Sequence, residues 1–103
     1  MATDSVREFF AGLATRVDPA KTAGMTNSYL FDVDGAGTWT VRVTNGAVSV
    51  REGPEDADVT ITGDAETFDR ISKRELNATT AYMTGKIKVK GDMGAALKLQ
   101  KLF

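Results

Sequence analysis

The side chains able to do chemistry are unevenly placed along this chain. Five lysines stand at positions 86, 88, 90, 98 and 101, and across positions 86–103 only Asp92 opposes them. Positions 1–85 hold eight basic and thirteen acidic residues, so the net charge of −1 conceals an acidic body and a basic C-terminal stretch. Lys86, Lys88 and Lys90 alternate, and on a sheet edge regular lysines discourage edge-to-edge association. With Lys98 and Lys101 they also form a cationic patch suited to an anionic membrane surface or a nucleotide phosphate.

Other chemistry is poorly represented. The chain has no cysteine and no histidine, which removes disulfides, thiol chemistry, Cys/His zinc sites and every triad built on imidazole. Glu55, Asp56 and Asp58 cluster in and beside a loop, and Asp32 alternates onto a polar strand face; these read as solvated surface carboxylates. A carboxylate base would have to point into the apolar side, which the alternation does not supply. Gly91-Asp92-Met93-Gly94 and Asp34-Gly35-Ala36-Gly37 lack the spacing and lysine of a phosphate loop and read as turns. A near-neutral net charge argues against a nucleic-acid partner. No apolar run approaches the ~18 residues that cross a bilayer, and the first residues lack the basic and apolar regions of a secretory signal.

What remains is apolar, and the elements that carry it are legible. At 103 residues the chain is expected to form one domain, residues 1–103, with one core and a radius of gyration of roughly 13 Å. Val6, Phe9, Phe10, Leu13, Ala14 and Val17 recur at helical spacing, and Ser5 to Glu8 fits a capping box. Asp18-Pro19 stops this helix, leaving room for a short turn before Gly24. Tyr29, Phe31 and Val33, then Trp39, Val41 and Val43, then Val48 and Val50 alternate with polar residues as three strands. Asn45-Gly46 marks a two-residue hairpin. Val59 with Ile61 marks a fourth strand, Asp64 and Asn77 are candidate caps for two short helices, and Ile87 with Val89 marks a fifth strand. A final helix carries Met93, Ala96, Leu97, Gln100, Leu102 and Phe103. The expected class is α+β, a five-stranded sheet with helices covering one face.

This order of elements resembles the sterol carrier protein type 2 domain family. The specific stretch runs from Asn77 to Leu102, with Tyr82 to Asp92 matching an aromatic-Met-x-Gly-Lys-Ile/Leu-Lys-Val/Ile-x-Gly-Asp pattern. Thr38-Trp39-Thr40-Val41, Asn45-Gly46 and Ala57 to Ile61 match earlier features. The resemblance implies a non-enzymatic binder or carrier of apolar lipids (fatty acid, fatty acyl-CoA or sterol-like) in an apolar tunnel between sheet and helices, with no cofactor. The alternative is a protein-interaction module using the apolar groove and the C-terminal helix. Periodicity and resemblance together assign the lining to Phe10, Leu13, Phe68, Ile71, Met83, Met93, Leu97 and Phe103, with Trp39 and Val41 beneath on the sheet. Lys86, Lys88, Lys90, Lys98 and Lys101 are candidates for transient contact with an anionic membrane. The last residues lack the peroxisomal signal of many family members, so a stand-alone cytoplasmic protein is expected; oligomeric state has no signal in the sequence.

Physics limits such a tunnel. About 15 methylenes at ~0.8 kcal/mol each give roughly 12 kcal/mol of gross burial before ordering costs. An empty dry cavity of about 400 Å³ costs on the order of 10 kcal/mol at ~24 cal/mol per Å³, which rivals the ~5–15 kcal/mol stability of a whole domain. A tunnel is therefore expected to be occupied or partly collapsed.

Overall fold

A computed structural model describes residues 2–16 and 19–98. The elements run α1 (Ala2–Arg16), α2 (Pro19–Thr22), β1 (Asn27–Asp34), β2 (Gly37–Thr44), β3 (Ala47–Glu52), β4 (Val59–Asp64), α3 (Ala65–Ser72), α4 (Ala78–Met83), β5 (Ile87–Gly91) and α5 (Met93–Leu97). The strands form one mixed sheet in the order β3-β2-β1-β4-β5. β1 pairs parallel with β4, and the other neighbours are antiparallel.

Alternation along each strand sends one set of side chains to the helices and the other to solvent. Register aligns the inward set into rows. One row runs Val89, Ile61, Phe31, Trp39; the next runs Gly91, Val59, Tyr29, Val41, Val50. Over these rows α1 lays Val6, Phe9, Phe10 and Leu13, and α3 lays Phe68 and Ile71, all buried. Gly63 leaves the space that Phe68 and Ile87 use, since a Cβ there would lie 2.9 Å from both side chains.

The outer face carries the β3–β4 connection. Thr40 donates to the Gly53 carbonyl at 2.9 Å, and Arg42 donates to the Asp56 carbonyl at 3.1 Å while pairing with Glu55 at 3.3 Å. Asp58 accepts from the Ser28 N–H at 3.0 Å, and its own N–H donates to Ser28 Oγ. Glu55 and Asp58 thus work as fasteners for a chain segment that must cross from β3 to β4.

The helix starts are set by side-chain acceptors that satisfy otherwise unpaired N–H groups. Asp64 accepts from Thr67 at 2.7 Å and Asn77 from Thr79 at 2.8 Å. That bond, with help from Lys86, holds the Asp64 carboxyl below the usual carboxylate range. Asp92 accepts from Gly94 and Ala95 at 2.9 and 3.3 Å. Asn45 and Gly46 both take positive φ, as the hairpin turn requires.

Two local expectations are corrected. Ser5 lies inside α1, which begins at Ala2 and carries Asp4 in its first turn, where a negative charge favours the helix dipole. Ala14 is exposed, because it falls roughly a quarter turn from the centre of the buried stripe. Val17, Asp18 and the 99–103 part of the final helix, including Gln100, Lys101, Leu102 and Phe103, lie outside the described residues.

Gly91 lies tightly against the backbone at Asp58. Its φ is +117°, and a Cβ would run into the Asp58 carbonyl. Gly85 also has positive φ, at +78°, but open space around it. Gly91→Ala is expected to cost more than 2 kcal/mol, against about 1 kcal/mol for Gly85→Ala, which meets backbone strain alone. Urea midpoints of the two variants, compared at equal slope, check this ordering.

Candidate functional site

The rings between sheet and helices fill the middle of the structure. Phe10 stacks on Trp39 with centroids 4.8 Å apart and sits 5.1 Å from Phe31, which meets Phe68 edge-on at 6.0 Å. Phe10, Leu13, Trp39, Val41, Phe68 and Ile71 are each at most 4% exposed. Six of the ten lining residues expected from the sequence are therefore packed as core. These side chains lie between the sheet and the helices α1 and α3, where the rings meet one another.

Open apolar space lies at the β5 end instead. A groove of about 150 Å³ runs between α4, β5 and α5. Ala78, Thr79 and Tyr82 of α4 form one wall, Ile87 and Val89 of β5 the floor, and Met93, Ala96 and Leu97 of α5 the other wall. None of these side chains carries a carboxylate or an ammonium group, so the groove offers apolar contact and little acid–base chemistry. An apolar cavity of 150 Å³ is known to take a benzene-sized guest, so the groove has room for a guest of about that size.

Of the remaining expected lining residues, Met93 and Leu97 reach the groove, at 47% and 81% exposure. Met83 ends α4, 78% exposed, without lining it. Phe103 lies outside the described residues. Phe10 and Trp39 additionally border a shallow depression with Arg7, Ala11, Val50 and Glu52 at the opposite end of the sheet. Residues that sequence reasoning passed over are Ala78, Thr79, Tyr82, Ile87, Val89 and Ala96. The available signal was the inward period of Ile87 and Val89, beside Tyr82 of the aromatic-Met pattern.

The groove's α5 wall is tethered to the sheet. Ala95, 2% exposed, has no side chain beyond Cβ, so the helix comes close enough for Tyr29 Oη to donate to its carbonyl at 2.6 Å. Burial, then the nearby charges of Asp58 and Asp92, pushes the Tyr29 hydroxyl up to about 12 from an ordinary 10.0. Each effect opposes the phenolate. Asp58 is near because its carbonyl receives the Asp92 N–H at 2.9 Å, which closes β5 into α5.

With this geometry in view, the comparisons agree on one family. Residues 9–103 match the profile of the SCP-2 sterol transfer family, and the chain belongs to it. The hydroxysteroid dehydrogenase-like protein 2 of Danio rerio is 35% identical over 106 residues, covering 99% of this chain and 26% of its own length. The chain thus spans about a quarter of that relative. Among solved structures, palmitated SCP2L2 from Aedes aegypti superposes with a TM-score of 0.76 at 25% identity, covering 99% of this chain and 94% of that one. The stereoselective inverting sec-alkylsulfatase Pisa1 from Pseudomonas sp. matches at TM-score 0.77 and 30% identity, over 91% of this chain and 15% of the sulfatase. The α+β fold with its five-stranded sheet is that of sterol carrier protein 2-like domains.

Because the folded state raises the Tyr29 pKa, its stabilising contribution is fully present below pH 10 and is lost as pH rises through about 12. The loss is expected to be on the order of 2 kcal/mol. Tyr29→Phe should lose about 1 kcal/mol at neutral pH and show a flatter decline between pH 10 and 12. Chemical denaturation of both proteins across that window measures the difference.

Proposed function

We propose that this chain is a non-enzymatic binder or carrier of a fatty acyl lipid, held in the groove between α4, β5 and α5. The observation that carries the reading is a groove with apolar walls and no carboxylate or ammonium group. The palmitated Aedes aegypti relative supports the choice of an acyl chain over a compact ring system. In the longer relatives named for dehydrogenase or sulfatase activity, this reading assigns the chemistry to the parts of those chains that lie beyond the matched segment.

Energetics ask for more than the groove in its present shape. Burying about five methylenes gives roughly 4 kcal/mol gross, which corresponds to millimolar affinity at best. Micromolar binding requires the rest of the chain to be covered, by separation of α4 from α5 or by closer contact along the sheet edge. Affinity should therefore climb with acyl length well past the point at which 150 Å³ is full. Displacement of a fluorescent acyl probe by fatty acids of increasing length tests this, and length-independent affinity argues against the reading.

A protein-interaction reading draws on exposed Met83 and Leu97, which suit an amphipathic helix as well as a lipid. Native mass spectrometry after gentle purification separates the two, since retained acyl masses favour carriage and an empty chain that captures a peptide favours recruitment. Leu97→Trp sharpens the assignment of the site. At 81% exposure its replacement should leave the melting temperature unchanged while the indole fills the groove. Acyl affinity is expected to fall about tenfold or more, and an unchanged affinity in the folded variant takes Leu97 out of the site.

A further inference from the structure

The chain holds neither cysteine nor histidine, and its single tryptophan, Trp39, is buried against Phe10. The thioethers are therefore the side chains most open to a mild oxidant such as a peroxide. Of the four methionines, Met1 lies outside the described residues. The other three have different surroundings. Met25 is 3% exposed in the core, Met83 is 78% exposed at the end of α4 without lining the groove, and Met93 is 47% exposed and lines it.

Among the described methionines, Met93 alone combines access with a place in the groove. It opens α5 directly after the Asp92 cap and shares the lining with Ile87, Val89 and Leu97. The polar side chains of that lining are the hydroxyls of Thr79 and Tyr82, on the wall opposite Met93. A thioether suits such a site, being apolar and adaptable. A sulfoxide does not. Its oxygen is a strong acceptor that water satisfies while the groove is empty, and a guest that displaces the water leaves it poorly paired.

We propose that Met93 is an oxidation site through which peroxide lowers the affinity of the groove for apolar guests, and through which reduction restores it. Hydrogen peroxide supplies the oxygen. The sulfur lone pair attacks one peroxide oxygen, the O–O bond breaks as the S–O bond forms, and the proton on the transferred oxygen leaves with the departing hydroxide as water. Sulfur is oxidised by two electrons and the peroxide is reduced by two. Methionine sulfoxide reductases, one for each epimer, reverse the change; the oxygen leaves as water while a dithiol is oxidised to a disulfide. The oxidation chemistry stands by itself, and its effect on acyl binding rests on the carrier reading.

Limited treatment of the whole chain with hydrogen peroxide, followed by peptide mass mapping, tests the proposal. Met83 and Met93 should oxidise about tenfold or more faster than Met25. Two guests then read the groove: a fluorescent acyl probe, and toluene followed through the NMR signals of the Leu97 methyls. The oxidised, folded chain should bind the acyl probe about tenfold or more weakly, toluene binding should fall in parallel, and the reductases with a dithiol should restore both. Met83→Leu should keep the whole loss, Met93→Leu should abolish the effect of peroxide, and Met93→Gln should bind weakly without any peroxide. A saturating fatty acid should slow oxidation of Met93 and not of Met83. Unchanged affinity once Met93 is oxidised, a loss that persists in Met93→Leu, or a loss seen only with oxidised Met25 and a lowered melting temperature overturns the proposal. Toluene binding that falls with Met93 oxidation in a chain that takes no acyl probe overturns the carrier reading alone, and acyl binding untouched by Met93 oxidation overturns the oxidation proposal alone.

Discussion

The packing of Phe10 against Trp39 and Phe31, with Phe68 edge-on to Phe31, ties α1 and α3 to the central strands, and the rest of the structure is built around it. Four rings over the central strands pack against one another between sheet and helices. Aromatic contacts of this kind contribute beyond their buried area, so opening that layer would sacrifice much of the core. Open apolar space is displaced to the side where the sheet runs out at β5, and there the covering elements are the six-residue α4 and the five-residue α5.

That displacement places unusual demands on the turn from β5 into α5. Gly91 must pass against the Asp58 carbonyl, Asp92 must cap the next helix, and Ala95 must be small enough for the Tyr29 hydroxyl to reach its carbonyl. These contacts join β1, β4, β5 and α5 at one point. The wall of the groove is thus anchored near its beginning, while Met93 and Leu97 stay exposed.

Much of the fold was readable because it follows from local rules. Period-two alternation marked all five strands, Asn45-Gly46 marked its hairpin, and Asp64, Asn77 and Asp92 stand at helix starts. The site was less readable for a physical reason. Phe10, Trp39 and Phe68 have the bulk and hydrophobicity of good lining residues, and those same properties make them good plugs; periodicity reports which face they share and not whether that face is filled. Ile87 and Val89 looked subordinate to the lysines around them, although their inward side chains form the groove floor. Ala78, Thr79 and Ala96 are small, and small residues mark a cavity by what they do not fill.

Energetics then connect the position of the groove to its size. A sealed void of about 400 Å³ in the centre would cost on the order of 10 kcal/mol, more than many domains possess. A groove of about 150 Å³ at the rim is open to water, so its cost is the exposure of a few apolar side chains instead of an empty interior. Under the proposed acyl-carrier function, a long chain must find surface beyond the 150 Å³ of the groove. The added surface is most readily found where Tyr82, Met83, Met93 and Leu97 already lie unburied beside the edge strand, because covering them gains hydrophobic free energy without dismantling the aromatic layer.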